Sequence, residues 1–486
     1  MGAVRARWRQ WRLEPARARD GWIVAGVGLG LRVAIVAWAS DRVPPAADGK
    51  FYHVVADRIA QGHGYTWLWP DGAVTYAAHY PVGYPALVGA LYLTFGAHPA
   101  LAMLLNALLG ALAVVAVHRV SAAVAGRAGA LLAALLVALH PTLLGYTPAL
   151  MTEGVVAALL GIVAWLALLA RQSSGRRRWG GWLGMAVLLG VTTLVRPQSL
   201  LLAPLFGWVA VGPADARAAG RSGWRRRLLG SLLTTAMVIA TCTPWTVRNC
   251  SRMGRCLFVS ANTGWNLLIG AGPGATGQWV SIEQVGLPPE CRAVFDEAEK
   301  DICFGRAAIR HIRTRPGRWL RLAPAKLRTT FDASGTPGYY FAEANPTAVS
   351  ETTRGALSAV ETVWQRGIVA LGLLAMAVAH GARRRARRVV AAVSAVGLVL
   401  PQVWVSYLGV VAGALLLGRG LGRHAPAAFA AAALAVTALT HVVFFGAGRY
   451  SMVSYPLLAA LAGAVLPRLQ QRGDPSVAGR TDGGHR

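Results

Sequence analysis

Charge is scarce in this chain. Only 14% of its 486 residues are charged, and 20 acids face 49 Lys and Arg residues. Soluble domains carry roughly 25% charge, so a soluble globular protein is excluded. A 55% hydrophobic content and a mean hydropathy of +0.45 point instead to an integral membrane protein. The formal net charge of +29 would suit nucleic acid, but the arginines cluster in short loops between apolar runs. That is the positive-inside pattern and not a groove-lining stripe, so no nucleic-acid partner is expected. Acidic or amide residues are almost missing from the centres of the apolar runs, and no internal repeat is visible. A transporter or lipid flippase would need both polar mid-membrane sites and, often, related halves. Arg32 is the one residue that favours that alternative. A scaffold role would leave the polar residues between the runs unexplained.

No small-residue cleavage site follows the basic N-terminus, which reads as a signal anchor. Met1–Asp20, with six arginines, is expected in the cytoplasm. Spans long enough for a hydrocarbon core of roughly 30 Å are expected at about Gly21–Ser40, Pro99–Val117, Ala128–Tyr146 and Glu153–Ala170, then two ending at Val195 and Val211, and one at Leu228–Trp245. Five more follow, at about Val363–His380, Val389–Trp404, Val405–Leu417, Ala425–Phe445 and Met452–Pro467. Twelve spans place every short basic loop inside. The organisation is therefore a membrane module over 1–245 with its first outer loop at 41–98, a long extracytoplasmic segment over 246–362, C-terminal transmembrane helices over 363–467 and a disordered cytoplasmic tail over 468–486. The expected location is the plasma (inner) membrane, as an all-α multi-pass protein.

In the first outer loop Asp48 opens a short amphipathic helix with Tyr52, Val55, Ala56 and Ile59 on one face. A Trp-rich turn follows, then HYPVGYP and a second interfacial helix from Tyr84. Asp48 reads either as a helix N-cap or as a functional acid. Glu153 has the same two readings, since a carboxylate suits a helix start and an ionisable group at a span edge is a functional candidate. Arg196, in LVRPQS, breaks the cytoplasmic placement of short-loop arginines; it either snorkels or binds phosphate through its fork. Arg248, Arg449 and Tyr450 are similar outer-edge groups. His53, His63 and His79 could serve a divalent metal ion, although no pair has a metal-motif spacing. Residues 258–277 are glycine-rich but no GK[ST] follows, so the loop is not a nucleotide site; Asn262 and Asn266 could bind sugar or backbone groups. Cys250, Cys256, Cys291 and Cys303 share the long segment, as two local disulfides or as buried thiols.

The order of these motifs resembles the GT-C fold polyprenyl-phosphate-dependent glycosyltransferases, in the branch of protein O-mannosyltransferases and the lipid A aminoarabinose transferase. The resemblance rests on D-x-x-x-Y at 48, HYPVGYP at 79–85, ALHPTLLGYTPALMTEG at 138–154, LVRPQS at 194–199, PWTVRN at 244–249 and RYSMVSYPLL at 449–458. It implies a polyprenyl-phosphate sugar donor, an acceptor that is lipid, glycan or protein, Asp48 as catalytic base, Glu153 as a second catalytic acid and Arg196 as phosphate ligand, aided by Arg248 or Arg449. Tyr52, His79, Tyr80, Tyr84, Asn262, Asn266 and Tyr450 are the candidate substrate contacts. Where the aminoarabinose branch has Glu-Lys-Pro-Pro, this chain has His79-Tyr80-Pro81-Val82, so a phosphate-binding Lys and a metal-binding Glu are both missing.

Overall fold

Proline cuts the apolar sequence into helices at points where charge does not. The structure, a computed structural model, describes residues 15–211, 221–379, 383–418, 421 and 424–466. The tail from 467 and most of the N-terminal tail lie outside the described residues. The first part holds α1 (Ala18–Ala39), α2 (Asp48–Ala60), β1 (Thr66–Leu68), β2 (Val74–Tyr76), α3 (Gly83–Phe95) and α4 (Pro99–Ala122). Then come α5 (Arg127–Ala138), α6 (Pro141–Gly145), α7 (Thr152–Gln172), α8 (Gly175–Val195), a 3-10 turn at Pro197–Leu202, α9 (Ala203–Ala210) and α10 (Arg221–Arg252). The polar segment forms α11 (Thr263–Ala271), α12 (Ile282–Val285), α13 (Glu297–Thr314), α14 (Pro316–Arg321), α15 (Ala323–Phe331) and α16 (Thr336–Ala344). The last part is α17 (Glu351–Val378), α18 (Arg384–Val399), α19 (Val403–Leu415), α20 (Ala425–Val443), a 3-10 segment at Gly448–Ser454 and α21 (Tyr455–Gly463).

The described residues are all-α apart from the β1–β2 hairpin, antiparallel with Trp67 opposite Thr75, in the stretch the sequence marked as a turn. Among the described residues seven helices are long and apolar enough to cross a membrane: α1, α4, α7, α8, α10, α17 and α20. The expected twelve spans are not all single long helices. The run 128–146 splits because Pro141 lacks the N–H and the room to continue α5. The run after Pro197 winds as a 3-10 turn and then as α9, with Pro204 in the first turn of that helix. The final run is a 3-10 segment followed by the nine-residue α21. Helices α10 and α17 run across residues 245 and 362, so Arg248 and Cys250 sit on a helix rather than in a loop. Cys250–Cys256 and Cys291–Cys303 are disulfides, and Cys242 is free and buried.

Broken helices leave carbonyls without partners, because the last four C=O groups of any helix have none within it. Long cationic side chains close several of these ends. Arg32 donates to Val137 O at 3.3 Å and Ala138 O at 3.4 Å, the end of α5. Arg171 donates to Val209 O and Val211 O at the end of α9, and Arg366 to Leu398 O of α18. Arg387 reaches Met376 O and Ala379 O at the end of α17. Lys326 reaches Val442 O and Val443 O at the end of α20. Each cation also complements the negative end of a helix dipole. Arg32 is therefore a structural cap, which removes the main support for the transporter alternative.

Candidate active site

Ends of α7, α8 and α20 meet the start of α2 around a cavity of about 530 Å³. Asp48 begins α2, but it is not the N-cap. That position is Ala47, whose φ of 49° is costly for a residue with a Cβ, and no side chain caps the helix. Asp48 instead turns into the cavity, where Oδ1 accepts a 2.8 Å hydrogen bond from the Tyr80 hydroxyl and Oδ2 one of 3.1 Å from Arg449 Nη2. Glu153, in the first turn of α7 and 2% exposed, does not cap either. Its Oε1 lies 2.9 Å from Arg196 Nη1 and 3.1 Å from Arg449 Nε. Neither contact has the alignment of a hydrogen bond, and Glu153 Oε2 has no partner. Hydrogen-bonding capacity is therefore left over at the centre of the cavity.

Arg196 reaches this point because Pro197 follows it. A residue before proline is pushed out of the helical region, and Arg196 has φ −143° and ψ 109°, which ends α8. Gly83 fits the same junction: a Cβ there would lie 2.6 Å from the backbone of Leu194 and Val195. Tyr450 lies under Arg196, 4.9 Å from guanidinium to ring centre, and is stacked at 4.1 Å on His441. Burial opposes the charge of Arg449, but Glu153, Tyr450 and Asp48 outweigh it and hold its pKa well above the ordinary value.

The polar segment closes the other wall. Glu297 Oε2 accepts from the N–H groups of Ala78 (2.6 Å) and His79 (2.9 Å), and Ala261 N–H donates to Ala78 O. Asp301 accepts from Trp265 N–H at the start of α11, which presents Trp265 and Asn266 to the cavity, with Asn262 just before it. His79 meets Trp265 and Tyr80 edge-on. Burial lowers the pKa of His79, so its imidazole stays neutral to a lower pH than usual, and burial with Asp48 nearby raises that of Tyr80. Tyr340 of α16 ties the two carboxylate-bearing stretches together, its hydroxyl accepting from Ala46 N–H (3.2 Å) and Leu150 N–H (3.4 Å).

Most of the residues singled out in the sequence line this one cavity: Asp48, Tyr52, His79, Tyr80, Glu153, Arg196, Asn262, Asn266, Arg449 and Tyr450. Two do not. The Arg248 fork is committed to Ala77 O and Tyr65 O, with its guanidinium 4.7 Å from the Trp245 ring, so it secures the hairpin and does not face the cavity. Tyr84 bonds Asn106 behind the wall. His53 bonds Tyr92 instead of approaching His79. Among the described residues no three His, Cys, Asp or Glu side chains are grouped to hold a metal, and the cavity carboxylates already face guanidiniums. The donor set does not fit a divalent ion. Trp265, His441, Gln198 and Tyr340 went unnoticed in the sequence. Of these, His441 carried a signal, as an ionisable residue within a span.

Residues 79–245 match the family model described as dolichyl-phosphate-mannose-protein mannosyltransferase. The matched stretch is about a third of the chain and includes His79, Tyr80, Glu153 and Arg196, but not Asp48 or Arg449. It agrees with the resemblance seen in the motifs. No curated protein sequence matches the chain. Among solved structures it is similar to the oligosaccharyltransferase AglB of Archaeoglobus fulgidus, with 16% identity, a TM-score of 0.46, and coverage of 92% of this chain and 49% of that one. It is also similar to ArnT of Cupriavidus metallidurans bound to undecaprenyl phosphate, with 18% identity, a TM-score of 0.38, and coverage of 89% and 77%. The chain thus spans about half the length of the oligosaccharyltransferase.

Proposed function

We propose that this protein is a membrane glycosyltransferase that moves a sugar from a polyprenyl-phosphate donor to an acceptor lipid, glycan or protein, with inversion. The observation that carries the reading is the Asp48–Arg449–Glu153–Arg196 chain of charges at the head of a cavity walled partly by apolar residues. Leu201 and Leu439 line that cavity and are 47% and 60% exposed. That is the arrangement a lipid-borne substrate needs: a prenyl chain along the helices, a phosphate at the arginines. The family match over residues 79–245 supports the same substrate class.

In this reading the acceptor oxygen attacks the anomeric carbon while the bond from that carbon to the phosphate oxygen breaks. Arg196 and Arg449 stabilise the charge that develops on the leaving phosphate. Glu153 keeps the two guanidiniums together, a positioning task that suits its burial better than contact with sugar. Asp48, oriented by Tyr80 and Arg449, takes the acceptor proton. Trp265 and His79, with Asn262 and Asn266, would bound the sugar. Arg176, Arg177 and Arg178 lie in the first turn of α8, at the end of that helix opposite the cavity, which by the positive-inside rule supports a cavity on the extracytoplasmic face of the plasma membrane.

The test is release of free polyprenyl phosphate by the purified protein from a panel of polyprenyl-phosphate hexoses and pentoses, with cell-envelope extract as acceptor. Protein-dependent release from at least one donor is expected. Release from none, by protein that retains its helicity, would overturn the assignment.

A further inference from the structure

The cavity does not account for the arginines of the polar segment. Helix α13 buries Ala298, Asp301, Phe304, Ala307 and Ala308. Its exposed side carries Arg306, Ile309, Arg310 and Arg313, spaced by three and four residues and therefore one stripe. Arg315 and Arg321, around α14, extend it. The acids of α13 lie at its other end and are occupied, Glu297 by the backbone of Ala78 and His79, Glu299 by Arg255. Arg310 faces Glu290 at 3.2 Å, but both side chains are largely in solvent, where such a pair is worth little. Among the described residues Arg306, Arg313, Arg315 and Arg321 have no ion pair. A solvated helix face ordinarily mixes both signs; this one does not.

Its height in the molecule is set by a tryptophan. Trp319 Nε1 donates to Val443 O, the last residue of the span α20, and Lys326 sits 5.3 Å from the same ring while closing the same helix end. Arg318 holds the carbonyls of Gly272 and Pro273. Helix α14 is thus seated where a span ends, the depth at which hydrocarbon gives way to headgroups and tryptophan is favoured. Two apolar side chains, Ile309 (43% exposed) and Leu320 (58%), lie among the arginines, the mixture of an interfacial helix. We propose that this stripe binds the headgroups of anionic phospholipids at the cavity end of the bundle. The proposal rests on the membrane reading and not on the transfer reaction.

The experiment places a nitroxide at Ile309→Cys of the full chain, reconstituted in vesicles of phosphatidylcholine alone or with about 30% phosphatidylglycerol. Collision rates with oxygen and with a water-soluble nickel chelate report its depth. Oxygen should dominate with phosphatidylglycerol, and high salt should reverse this. Replacing Arg306, Arg310 and Arg313 together by Gln should weaken the association about a hundredfold, roughly fivefold per arginine, and expose the label. The Lys replacements, which keep the charge, should not. Equal nickel access in both vesicle types, or a salt-insensitive depth, would overturn the proposal, as would an unmoved label in the Gln variant. Transfer activity is not read, so failure here leaves the proposed function standing, and the reverse.

Discussion

Arg32 and Arg449 are guanidiniums withdrawn from bulk water at two levels of the same bundle, and their partners could hardly differ more. Arg32, 1% exposed, gives its donors to the carbonyls of Gly28, Val137 and Ala138. Arg449, its side chain 27% exposed, faces the carboxylates of Asp48 and Glu153 across an open cavity. Carbonyls at a helix end are neutral dipoles that need any strong donor, so the first set of cations (Arg171, Arg366, Arg387 and Lys326 with Arg32) completes the fold. Two carboxylates and two guanidiniums beside a cavity complete no helix. Keeping them there costs desolvation that simple packing would avoid. A cation inside a membrane protein is thus no sign of function until its partner is known.

The sharpest way to break this contrast is at Asp48. Asn caps a helix about as well as Asp, and Asp48 is not a cap, so Asp48→Asn should fold and bind donor. Losing a positioned base typically costs on the order of 100- to 10,000-fold in rate, and the turnover of purified Asp48→Asn should fall in that range while Asp57→Asn keeps most activity. Near wild-type turnover would return the search for a base to Glu153 or His79.

Next is the pair of arginines themselves. Charge-assisted hydrogen bonds are worth about 1.5–3 kcal/mol, so Arg196→Ala should raise the apparent KM for donor on the order of 10- to 100-fold, with Arg196→Lys in between. Arg32→Met should leave KM alone and cost about 1–3 kcal/mol of stability. Thermal unfolding and donor titration on both variants read the two effects separately; the contrast fails if Arg32→Met raises KM as far as Arg196→Ala does.

Tyr340 belongs to neither set, yet it links the loops that carry the acids. Tyr340→Phe keeps the ring and removes the acceptor shared by Ala46 and Leu150. Misplacing reacting groups slightly is expensive in rate, so turnover should drop roughly tenfold at an unchanged donor KM. A rise in KM alone would argue against this role.

The smallest effect is expected from Glu297. Burial raises its carboxyl pKa, against the pull of the Ala78 and His79 N–H groups. A raised pKa means the charged form is disfavoured by folding, so its stabilisation is full below the unfolded pKa and is lost as pH rises through the folded one. Gln can still accept both hydrogen bonds without a charge. The melting temperature of Glu297→Gln relative to wild type should therefore climb between acidic and neutral pH; a flat difference would show that burial at this carboxylate does not matter.

Composition and the placement of arginines were sufficient for a helical multi-pass membrane protein, because hydrocarbon leaves the backbone few options. The motif order was enough to pick out Asp48, Glu153, Arg196 and Arg449, because ionisable residues at the edges of apolar runs stand out against their surroundings. Local chemistry also placed Arg196, through Pro197, and both disulfides fell on the nearest-neighbour pairing. Only the tertiary structure decided which apolar runs are single helices, since Pro141 and Pro197 act together with cations that arrive from elsewhere, such as Arg32 from over a hundred residues earlier. It alone separated Arg248, spent on the carbonyls of the first loop, from Arg449, which faces the cavity. It also revealed Tyr340 and Glu297, whose partners lie 190 or more residues away. Which partner a side chain meets depends on how distant segments pack, and periodicity and spacing along one chain do not record that.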